Sequence, residues 1–77
     1  MYDPTVQRAL LRTLARWRRL PEGDLIGMLS PVERLRYRPD ALQDLEWDGL
    51  VEARAAGDER VVCITEAGET WLRERGG

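Results

Sequence analysis

The sequence predicts a small α+β domain: three helices, then a two-stranded β-hairpin, then a short C-terminal helix. Three observations carry that prediction. Apolar residues recur at helical spacing through the first half of the chain. Residues 50–55 and 60–64 are short β-prone runs joined by Ala56-Gly57-Asp58-Glu59, a glycine-containing hairpin loop. The chain has 77 residues and is 43% hydrophobic, which suits one small core and a single domain over residues 1–77.

Asp3-Pro4 opens the first helix, with a capping Asp and Pro at the first helical position. Val6, Leu10, Leu14 and Trp17 fall on one face and are expected in the core, where Trp71 and Leu72 of the last helix pack back on them. Arg8, Arg12, Arg16 and Arg19 fall on another face, either simply solvated or touching phosphates or an acidic partner. Leu20-Pro21 ends this helix, because the residue before Pro avoids helical geometry. A second helix follows over residues 22–29, with Leu25, Ile26 and Leu29 as its apolar contacts. Gly23 and Gly27 weaken it by up to about 1 kcal/mol each, so packing must hold it.

Ser30-Pro31-Val32-Glu33 is a capping-box pattern and starts one extra turn over residues 31–36. Pro39 starts the third helix, which runs to about residue 48. Leu42 and Leu45 lie three apart on its buried face, and Asp48-Gly49 stops it, since Gly tolerates the left-handed turn. After the hairpin, Thr65 caps a last helix over residues 66–73, and the Arg-Gly-Gly end is expected to fray.

Composition removes several functions. There is no His, so the commonest general base and metal ligand is missing, and zinc sites with several Cys or His ligands are excluded. Cys63 is the single cysteine, without a His to activate it, and reads as a small strand residue. No phosphate-loop or dinucleotide glycine pattern occurs, so neither an enzyme nor a cofactor is expected. No apolar run approaches the ~20 residues of a membrane span, and the N-terminus is not a secretory signal. A cytoplasmic location is the resulting expectation. The net charge of −2 hides an asymmetry: residues 1–38 carry +4 and residues 39–77 carry −6.

The run Leu42-x-x-Leu45-Glu46-x-Asp48-Gly49-Leu50-Val51, then Gly57-Asp58-x-Arg60-Val61, then Ile64-Thr65-Glu66-Ala67-Gly68, resembles the recognition helix and wing of winged helix-turn-helix domains. It is most similar to MarR-like and PadR-like bacterial transcriptional regulators. The match covers a little over a third of the chain. The extra turn over residues 31–36 departs from the usual short helix-turn-helix connection.

The resemblance implies a small DNA-binding regulator, bacterial or phage-derived, acting on double-stranded DNA. Its third helix, residues 39–48, would dock in a groove, with residues 50–65 as the wing. Arg34, Arg36, Tyr37 and Arg38 would lie at the start of that helix, Gln43 would face the groove, and Arg54 and Arg60 would reach the backbone. Against this, Asp40, Asp44 and Asp48 recur every four residues off the Leu42/Leu45 face and would repel phosphates. Trp47 falls about 140° from Leu42 and should point away from the core. A second reading is therefore a protein-interaction module, binding a polymerase, another nucleic-acid enzyme or a second copy through Asp40, Asp44, Trp47 and Asp48. The two readings separate on the surface. A continuous positive face over residues 34–38 and the hairpin favours DNA, and an apolar patch centred on Trp47 and ringed by acids favours protein.

Overall fold

The computed structural model describes residues 4–75. The Asp3 cap and the terminal Gly76-Gly77 lie outside the described residues. The order of elements is α1 (Pro4–Trp17), β1 (Arg19–Pro21), α2 (Glu22–Gly27), α3 (Pro31–Arg36), α4 (Pro39–Trp47), β2 (Val51–Ala56), β3 (Glu59–Ile64) and α5 (Glu66–Glu74). The result is an α+β domain of helices packed with an antiparallel sheet whose strand order is β1-β3-β2. No helix among the described residues is long and apolar enough to cross a membrane.

The first helix is shorter than its sequence predicts. It ends at Trp17 because Arg18 turns into the left-handed region (φ 71°), its N–H still donating to Leu14 O at 2.7 Å. Residues 19–21 then form β1, and the expected two-stranded hairpin becomes a three-stranded sheet. Arg19, Leu20 and Pro21 pair with Cys63, Val62 and Val61. Pro21 is tolerated because β1 is an edge strand. Arg19 accordingly leaves the helical arginine stripe, while Arg8, Arg12 and Arg16 stay on α1 and exposed. Trp17, expected in the core, is 52% exposed, since the chain reverses directly after it.

The other boundaries move by a residue or two. α2 stops at Gly27, yet Leu29 beyond it remains buried. The hairpin loop shrinks to the two residues Gly57-Asp58 because Ala56 and Glu59 pair. Gly57 has φ +66°, the conformation that a two-residue turn with glycine at its first central position requires. The Ser30 capping box forms in full: Ser30 Oγ accepts from Glu33 N at 3.2 Å, and Ser30 N donates to Glu33 Oε1 at 2.9 Å.

α1 is the spine of the core. Val6, Ala9, Leu10, Leu11 and Leu14 are buried against Leu25, Leu29, Leu42, Leu45, Leu50, Val51, Val62 and Leu72. Trp71 packs partly buried at the edge of this cluster, and Arg75 lies over its ring at 4.9 Å. Gln7 is fully buried among the leucines. Its Nε2 donates to Ala41 O at a long 3.5 Å, and its Oε1 has no donor among the described residues.

Candidate functional site

Helix α4 shows two faces. Leu42 and Leu45 are buried, and Ala41 packs beside them. At 100° per residue, Asp40, Gln43, Asp44 and Trp47 gather on the opposite side, within about 100° of arc. All four are exposed, and Trp47 keeps 82% of its surface. The outward placement of Trp47 expected from its spacing therefore agrees with the structure. Asp48 is exposed at the C-cap, and α4 carries no basic residue. Its solvent face is an aromatic ring among carboxylates.

Gly49 ends the helix in the left-handed region at φ +76°. Gly49 N donates to Glu46 O at 3.1 Å and Leu50 N to Leu45 O at 2.9 Å, the paired bonds of a Schellman end. Leu45 and Leu50 are both in the core, so the turn that releases Trp47 to solvent also fixes the entry to β2.

The basic residues proposed for DNA contact divide into three groups. Arg34 turns inward along α2: its guanidinium donates to Gly27 O at 2.9 Å and Leu29 O at 3.2 Å, closing the carbonyl end of that helix. Arg60 is engaged by acids, at 3.0 Å from Glu46 and 3.6 Å from Glu22. Strand alternation explains this. Arg60 shares the face of Val62 and Ile64, the side of the sheet turned toward the helices, so its head reaches α4 and α2. Arg54 lies on β2 beside Glu52 at 3.7 Å, a highly exposed pair. Arg36 and Arg38 are both exposed, Arg38 at the N-cap of α4 without a side-chain capping bond. Gln43 is exposed.

Tyr37 is half-buried and packs against the core. Burial pushes its phenol above the ordinary value of 10.0; Glu22 adds to that rise and Arg60 opposes it. Glu22, Tyr37, Glu46 and Arg60 thus form one polar seam beneath the hairpin. The Glu46–Arg60 bond, across 14 residues, has no local sequence signal.

A second surface feature escapes the sequence reading. α3 buries none of its residues. Val32 is 63% and Leu35 is 88% exposed, and the two lie three apart, on one face of the helix. Met28, in the turn before α3, is 46% exposed. Nothing in the sequence marks Val32 and Leu35 as exposed, because a six-residue helix is too short for periodicity to reveal its inner side. Among the described residues, no group of three or more Cys, Asp or Glu side chains is placed to hold a metal ion. The chain matches no protein-family model, no curated protein and no solved structure.

Proposed function

We propose that the chain is a winged-helix-type protein-interaction module, with the β2–β3 hairpin as its wing and α4 as its docking helix. The observation that carries this reading is Trp47, 82% exposed on a helix face that holds Asp40 and Asp44 and no basic residue. Burying an aromatic ring of 150–250 Å² is the usual anchor of a protein interface, and surrounding carboxylates select a basic rim on the partner. The partner surface is therefore apolar at its centre and basic around it.

A second reading is a DNA-binding transcriptional regulator. It is favoured by the exposed Arg36 at the end of α3 and Arg38 at the N-cap of α4, and by the sequence resemblance of residues 42–68. It is weakened because Arg34 and Arg60 are spent on intramolecular contacts, which leaves Arg54 alone among the proposed hairpin contacts.

Fluorescence anisotropy distinguishes the two. Labelled random-sequence duplex DNA, titrated across a salt series, is expected to show no association at micromolar protein. An amphipathic peptide with a leucine face and an arginine rim is expected to bind, and Trp47→Ala should weaken that binding at least tenfold. Micromolar DNA binding that falls steeply with salt and is lost in Arg38→Ala would replace the protein reading with the DNA reading.

A further inference from the structure

The chain carries two unpartnered surface patches, and they are complementary. One is Trp47 with Asp40 and Asp44 on α4; the other is Val32 and Leu35 on α3, followed by the exposed Arg38. Each holds an exposed apolar side chain, and the exposed charges that flank the two in the chain, Arg38 for the one and Asp40 and Asp44 for the other, are opposite. Leu35 and Trp47 are the two most exposed large apolar residues among those described, at 88% and 82%. Among the described residues neither Arg38 nor Asp44 has an ion-pair partner within the chain. The two patches are close in the chain, because α3 and α4 are joined only by Tyr37 and Arg38.

We propose that the partner of the α4 face is a second copy of this chain, paired about a two-fold axis so that Val32, Leu35 and Arg38 of each protomer meet Trp47 and Asp44 of the other. The inference rests on the protein-interaction reading above and names the partner for it. Two complementary patches on one chain suit a two-fold arrangement, in which one rotation brings both contacts together and the assembly closes as a dimer. A chain with one patch would need a foreign partner; this chain carries both halves. The aromatic ring and the leucine would leave water together, and the Arg38–Asp44 pairs at the rim would fix the register.

Sedimentation equilibrium of the full chain tests this. A monomer–dimer equilibrium is expected, weakened by salt and weakened at least tenfold by Trp47→Ala and by Leu35→Ala. Both side chains are exposed, so circular dichroism should show the fold unchanged. The decisive measurement is a charge swap. Asp44→Arg and Arg38→Asp should each stay monomeric alone, because every homodimer contact becomes repulsive. Mixed, they should form a heterodimer, with one contact reversed in sign and the other native. A wild-type chain that stays monomeric at hundreds of micromolar overturns the proposal, as does a dimer indifferent to Trp47 and Leu35 or a mixture that fails to associate. If the second copy fails while the leucine–arginine peptide still binds through Trp47, the interaction reading survives and only its partner is wrong. If the peptide fails too, both fall.

Discussion

Gly68 shows how one residue without a side chain decides a packing contact. A Cβ there would fall on the Leu50 carbonyl oxygen, well inside contact distance, and 2.8 Å from Ile64 Cγ1. The Leu50 oxygen cannot retreat, because it already accepts from Thr65 N at 3.0 Å. Thr65 in turn donates its hydroxyl to Gly49 O at 2.6 Å and accepts from Gly68 N at 3.1 Å. Gly68→Ala should therefore destabilise the fold by about 1–3 kcal/mol, the usual cost of overpacking, read as a lower urea midpoint with an unchanged slope. The Thr65 cap was legible as a residue type before a helix. The tight approach behind Gly68 was not, since it joins the end of α4's turn to α5 across the core. Trp17 and Trp47 make the same contrast. Helical spacing placed Trp47 outward correctly, but it placed Trp17 inward, where a backbone reversal at Arg18 removes the cover.

At the scale of elements, the ends matter more than the middles. α4 has nine residues, too few to be stable by propensity alone, and depends on Leu42, Leu45 and its C-terminal turn. Gly49 at φ +76° makes that turn possible, and nothing lies within 4 Å of a Cβ built on it. Gly49→Ala therefore isolates backbone strain from crowding. It should cost about 1–2 kcal/mol, the penalty of an L-residue in the left-handed region, and thermal unfolding measures it directly. Amide exchange should show faster opening at Leu50, whose N–H bonds to Leu45 across the turn. The helices, the capping box and the hairpin were legible because each is written in local spacing or a turn signature. β1 was not: Arg19, Leu20 and Pro21 become a strand only because Val61, Val62 and Cys63 stand opposite them.

At the scale of the whole molecule, the acidic second half and basic first half do not simply face apart. Glu22, Tyr37, Glu46 and Arg60 link α2, the α3–α4 connection, α4 and β3, with Arg60, a base of the acidic half, held by Glu22 of the basic half and Glu46 of its own. Arg18 and Glu69 pair likewise between the end of α1 and α5. The half-buried phenol gives this seam a pH signature. Its folded-state value is raised, so above the ordinary value of 10.0 the unfolded chain loses the proton first, and stability falls as pH rises. Urea midpoints compared between about pH 9 and about pH 11 should drop more in the wild-type chain than in Tyr37→Phe. An equal drop in both would remove Tyr37 as the cause. The sequence by itself determined the α+β class, the order of the main helices and hairpin, the leucine core and the outward aspect of Trp47, because these follow from periodicity, caps and turns within a few residues. Only the tertiary structure decided that Arg34 closes α2, that Arg60 is held by Glu46 and Glu22, that a third strand joins the sheet, and that Val32 and Leu35 stay outside. Each depends on which distant segment stands opposite, and short-range spacing carries no record of that.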